Sequence, residues 1–289
     1  MVFELMSIGA FEDRNCMDFN ISESDGALEF LSSVAELDAS EARRFYFGDG
    51  CNSGDLTKRI DQCFGDVFSS VDISDCRVFG MHLTASVDQC DSIRKNGLLN
   101  LRKVLQGDNP LGNSIRESGV RFDGDYQFMY FNNQQYGLRD ELEKRPGSPL
   151  ARIARKLLVD YGINAFLYNP LLGEYGNDVA SSPEFLQDLR NCLQDKGFSC
   201  EWGRSSVSSS RRSRAYRVEF WVNVADVCPT TFGYESNRTI LGNRNSRKVL
   251  CSMTELALNR AFGLSDAFLL YLKPTACVPG GRLCISDIS

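Results

Sequence analysis

The stretch VFGMHLTASVDQCDSIRKNGLL, residues 78–99, holds His82, the only histidine of the 289-residue chain. Its two halves ask for different backbones. CRVFGMHL (76–83) is short, apolar and β-leaning. SVDQCDSIRKNG (86–97) reads as a helix: Ser86 suits an N-cap, Val87, Cys90, Ile93 and Arg94 lie near one face, and Gly97 is a natural stop. A strand that ends near His82 and Thr84 and runs into a capped helix is either plain scaffold or the wall of a site.

Working outward, helices and strands alternate without a βαβ rhythm, which predicts an α+β fold rather than a doubly wound sheet. Helices are expected over 27–46, over 54–69 with Asp55 as a cap, over 148–162, over 181–197 and over 252–263. Strands are expected at YQFMYF (126–131), INAFLYN (163–169), YRVEFWVNV (216–224) and DAFLLYLKP (266–274). There is no solenoid repeat, and neither GxGxxG nor GxxxxGK[ST] occurs.

The net charge of −6 excludes a surface that attracts polyanions everywhere. A local exception is GRSSVSSSRRSRAYR (203–217), with Arg204, Arg211, Arg212, Arg214 and Arg217 and no apolar period. It reads as a loop, either solvated or meeting phosphates beside a site. No run of about 18 apolar residues predicts a membrane span. The N-terminus carries acidic residues where a signal peptide would be basic, so a cytoplasmic protein is expected.

Eleven cysteines are spread irregularly, none in CxxC. With one histidine available, a zinc site is not expected, and most cysteines read as reduced, buried small hydrophobes. Only Cys76 and Cys90 lie near His82 in sequence.

In VEFWV, Glu219 stands among Phe, Trp and Val. Alternation puts Glu219, Trp221 and Asn223 on one face of that strand and Val218, Phe220 and Val222 on the other. The second face reads as buried, while the first could line a cleft.

Three motifs in this order resemble the histidine–tyrosine–glutamate branch of the ADP-ribosyltransferase superfamily. They are HLTASVDQCDSIRKNGL (82–98), DYQFMYF (125–131) and VEFWV (218–222). Within that branch the chain is most similar to the DarT-type DNA ADP-ribosyltransferase toxins. After the aromatic strand it departs from them, reading NNQQYGLRDE.

The resemblance implies a split mixed β-sheet core with flanking helices over about 76–235. A mainly helical extension (1–75) would precede it and a second extension (236–289) would pack on it. It implies NAD as substrate and no metal. His82, Thr84 and Gly97 would hold NAD, with Tyr130, together with Phe131 or Tyr126, as stacking surface and Glu219 as the catalytic carboxylate. An arginine would hold the diphosphate, with Arg116 preferred over Arg121. The acceptor could be a DNA or RNA base or a protein, and Arg211, Arg212 and Arg214 favour nucleic acid. A toxin or anti-phage role, with an antitoxin or regulatory partner, follows from the resemblance alone. Two alternatives use the same fold: an NAD glycohydrolase, and a binding module without chemistry. A tRNA 2′-phosphotransferase-like activity would need phosphate-binding arginines of its own.

Overall fold

The computed structural model of the chain describes residues 17–48, 56–171, 182–198, 213–233, 243–263 and 266–288, with 243–245 described for the backbone alone. Asp55, Arg204, Arg211 and Arg212 lie outside the described residues. The architecture is α+β. In chain order the N-terminal part contains β1 (Asp18–Phe19), α1 (Ser24–Ala35), α2 (Ala39–Phe47), α3 (Leu56–Ser70) and β2 (Arg77–Ser86). The middle contains α4 (Asp91–Asn96), α5 (Leu101–Gln106), α6 (Pro110–Glu117), β3 (Arg121–Phe122), β4 (Phe128–Phe131), β5 (Gln134–Gly137), α7 (Leu138–Lys144), α8 (Pro149–Leu158), β6 (Asn164–Tyr168) and α9 (Glu184–Asp195). Then come β7 (Arg214–Asn223), α10 (Asn243–Phe262), β8 (Phe268–Tyr271) and β9 (Leu283–Asp287).

The main sheet runs β8-β6-β2-β7-β9, with the short β1 also paired to β2. Only β1 is parallel to its neighbour. A separate meander, β3-β4-β5, forms a second sheet.

Local chemistry explains where the elements differ from expectation. The helix expected over 27–46 is two helices. Glu36 turns left-handed (φ 54), and Asp38 starts α2 by accepting from the backbone N–H of Ser40 and Glu41 at 2.7 and 2.8 Å. The Glu41 carboxylate accepts from the Asp38 N–H in return, completing a capping box. Ser86 does not cap a helix directly. It ends β2, and its Oγ accepts from the N–H groups of Asp88 and Cys90. Gln89 and Cys90 then take positive φ, so α4 begins only at Asp91. Likewise β4 starts at Phe128, because Tyr126 is left-handed (φ 57). Ser148 and Pro149 start α8 as the sequence suggests, with Ser148 Oγ accepting from the Ala151 N–H at 3.0 Å.

Apolar side chains gather in two clusters. The first joins Phe19, Phe30, Ile60 and Phe68 to Val78, Phe220, Val222, Leu250, Met253 and Leu270. The second joins Val120, Met129, Phe131 and Leu138 to Ile153, Leu157, Leu189 and Cys192. Boundaries near 75 and 235 therefore do not separate packing units. The N-terminal helices, α10 and the main sheet share one core, and the second core belongs to the region between β2 and β7. α10 packs on α1 and α3, where Arg247 Nε donates to Asp61 Oδ1 at 2.6 Å.

Candidate functional site

The site residues are organised by the β2–β7 ladder, which pairs from Arg77↔Asn223 to Ser86↔Arg214. Directly opposed residues in an antiparallel pair point to the same face, and successive residues alternate. His82 opposes Val218, Thr84 opposes Tyr216, and Met81 opposes Glu219. His82 and Thr84 therefore share the face of Val218, Phe220 and Val222, and Glu219 lies on the other. The buried face foreseen in VEFWVNV is real: Val218, Phe220 and Val222 are all 6% exposed or less.

On its face, His82 Nδ1 lies 2.7 Å from the carbonyl oxygen of Asn164 in β6. A carbonyl can only accept, so Nδ1 carries the proton and Nε2 is left as an acceptor. Burial pushes the imidazole below its ordinary pKa, against the opposing effect of that carbonyl. The ring is neutral at neutral pH.

The Glu219 face is more open and more polar. Arg217 Nε lies 3.2 Å from Glu219 Oε1. Ser286 of β9 opposes Arg217, and Cys284 opposes Glu219. Among the described residues, Ser213 Oγ and Ser286 Oγ are buried without a hydrogen-bond partner, and Arg217 Nε has none beyond its ion pair with Glu219. Such groups are rare in native proteins and call for an explanation. Further along the same face Trp221 meets Phe79 edge-on, with ring centroids 5.3 Å apart. The Arg77 guanidinium lies 5.2 Å over the indole and is bidentate to Asp18. Sequence reading missed Ser213 and Ser286, and it placed Arg217 where the 203–217 loop and the 216–224 strand overlap. The period-two pattern of LCISD was the available signal for β9, but its pairing with β7 is non-local.

The other predicted residues lie apart from this ladder. Gly97 ends α4 with φ 81 and ψ 179, a region open essentially to glycine alone. A Cβ there would stand 2.3 Å from the Val278 carbonyl oxygen. This close approach lets Leu98 and Val278 exchange backbone hydrogen bonds at 2.8 and 3.0 Å. Tyr126 is buried in the second core; its hydroxyl donates to the Arg102 carbonyl at 2.9 Å. Tyr130 is 38% exposed on the outer face of the meander, opposite Arg121, with the Phe128 ring 6.5 Å away. Arg116, the preferred diphosphate ligand, is engaged elsewhere. Its guanidinium donates to the carbonyls of Leu105 and Gly107 at 2.9 Å and to Asn113 Oδ1. It caps the carbonyl end of α5. Arg121, in the separate meander, is exposed and makes no ion pair or side-chain hydrogen bond among the described residues. Arg214 pairs with Asp287 at 2.9 Å.

Of the cysteines near His82, Cys90 is fully buried, and burial pushes its thiol up to about 11, which disfavours the thiolate. Burial likewise takes Cys192 and Cys251 up to about 12. The expectation of buried cysteines holds for Cys76, Cys90, Cys192 and Cys251, whereas Cys63, Cys277 and Cys284 are exposed. Among the described residues no cluster of three or more His, Cys, Asp or Glu is placed to hold a metal ion, and no helix is long and apolar enough to cross a membrane. No protein-family model, curated protein or solved structure matches the chain.

Proposed function

We propose that the chain is an NAD-dependent ADP-ribosyltransferase of the histidine–tyrosine–glutamate type, with Glu219 as its catalytic carboxylate and a nucleic-acid base as acceptor. The observation that carries this reading is the Glu219 face. It holds a half-buried carboxylate ion-paired to Arg217, with Ser286 of β9 opposite Arg217 and its buried hydroxyl without a hydrogen-bond partner among the described residues. Cleaving the nicotinamide–ribose bond passes through an oxocarbenium-like state, which an adjacent carboxylate stabilises. The bond electrons leave with nicotinamide. The acceptor nucleophile then bonds to the ribose carbon and releases a proton, which Glu219 accepts. Arg217 and Ser286 are suited to orient hydroxyl or phosphate oxygens. The ordered motifs and the arginines of 203–217 support a nucleic acid as acceptor over a protein.

The test is nicotinamide release by the full chain from labelled NAD, with single-stranded DNA, RNA and protein offered as acceptors. Wild type should release nicotinamide and label a nucleic acid. Glu219→Gln should lower turnover at least about 100-fold, the scale of a lost general base. Undiminished turnover in Glu219→Gln refutes the assignment. Nicotinamide without a labelled acceptor identifies a glycohydrolase instead. A second reading, a binding module without chemistry, draws on the placement of His82, which is neutral, bonded to Asn164 and on the opposite face from Glu219. No release at all, with polyanion binding intact, favours that reading.

A further inference from the structure

On the helical side of the main sheet, opposite the Glu219 face, an open cleft of about 470 Å³ lies between the start of α1, α2, the end of β6 and the end of α10. Ser24, Arg43, Phe47, Tyr168, Arg260 and Phe262 line it, and among the described residues no carboxylate does. β6 runs from Asn164, the partner of His82, to Tyr168, so about 13 Å of strand separates the two.

Two features of this cleft bear on what it could hold. The first is unneutralised positive charge. Arg260 donates to three neutral acceptors: the carbonyls of Ile21 and Ser22 at 3.2 Å and Ser24 Oγ at 2.9 Å. A guanidinium has five N–H donors, so two remain. Its plane also lies 4.1 Å from the Tyr168 centroid, which fixes its orientation. Arg43 is exposed, and neither arginine forms an ion pair among the described residues. The second feature is exposed aromatic surface. Phe47 is 58% exposed and meets Phe262 at 6.0 Å and Tyr46 at 5.0 Å. The Arg43 guanidinium lies 5.7 Å over the Phe47 ring. An apolar ring left in water beside a cation without a counter-charge suits a ligand that stacks on the one and neutralises the other.

We propose that this cleft is a binding site for a nucleoside monophosphate, with the base against Phe47 and Phe262 and the phosphate between Arg43 and Arg260. The volume falls in the range of sites for small organic ligands. The site is separate from the proposed catalytic face and does not depend on it.

The experiment is calorimetric titration of the full chain with AMP, with adenosine and inorganic phosphate as single-feature probes. AMP should bind saturably, and each fragment at least about tenfold more weakly. Arg43→Ala and Phe47→Ala change exposed side chains, so the fold should survive, as an unaltered thermal melt would verify. Each should weaken AMP at least about tenfold, and Glu219→Gln should leave it unchanged. The proposal fails if AMP shows no saturable binding at millimolar concentration, or if Arg43→Ala and Phe47→Ala bind it as wild type does. It also fails if Glu219→Gln removes the binding, which would move AMP to the catalytic face. Nicotinamide release is read separately, so the failure of either proposal leaves the other standing.

Discussion

The two faces of the β2–β7 ladder use the same backbone and the same rungs for opposite purposes. One face, with Val78, Val218, Phe220 and Val222, is closed and apolar. The other, with Phe79, Arg217, Glu219 and Trp221, is half-open and holds charge. His82 falls on the first and Glu219 on the second because the register is offset by one: Val218, not Glu219, opposes His82. Two residues can stand in the right order along a chain, on neighbouring strands, and still be separated by the thickness of the sheet.

The comparison is broken most severely on the closed face. Phe220→Ala should lower the unfolding free energy by about 3–5 kcal/mol, because Phe220 is 1% exposed and its cavity cannot be relieved by water. Trp221→Ala, one residue along, should lose distinctly less, since the indole is half-exposed. Denaturant midpoints of the two variants measure this, and equal losses would mean that the open face is also packed shut.

The anchoring of the opening stretch comes next. Gly97→Ala combines a backbone strain of about 1–3 kcal/mol with a clash against Val278. A lower thermal midpoint should result, with faster amide exchange at Leu98 and Val278 as their mutual hydrogen bonds open. Unchanged exchange there would show that the contact with Val278 is dispensable.

The smallest effect separates the faces by pH. His82 has a folded pKa below its unfolded value of 6.5, through burial. The unfolded state therefore binds the extra proton first as pH falls below about 6.5, and stability is lost from there downward. The loss is at most about 1.4 kcal/mol per pH unit. Being the sole histidine, His82 is the only side chain with an ordinary pKa in that window. Denaturant unfolding between pH 7 and pH 5 should show a decline in wild type that is flattened in His82→Gln. An equal decline in both would mean that the imidazole is hydrated rather than buried.

Much of the local structure was legible. The alternation in VEFWVNV named the closed face correctly, and Ser148-Pro149 marked the start of α8. Gly97 read as a stop, though its value is the close approach to Val278, which lies some 180 positions away. The break at Asp38 was also written locally, as an Asp-x-x-Glu capping box inside an otherwise helical pattern, and periodicity masked it. Arg116 was not legible at all. Its engagement with the carbonyls of Leu105 and Gly107 depends on how α5 and α6 fold back on each other.

By itself the sequence determined the α+β class, most helix and strand identities, and which residues of β7 share a face. Those follow from period, capping and side-chain shape, all of which act within a few residues. Only the tertiary structure decided that His82 and Glu219 lie back to back and that Ser286 stands opposite Arg217. It alone placed Tyr130 in a second sheet and set two arginines around an exposed phenylalanine beside α10. Strand register and helix docking are settled by burying distant surfaces together, and no local pattern encodes which distant partner will supply them.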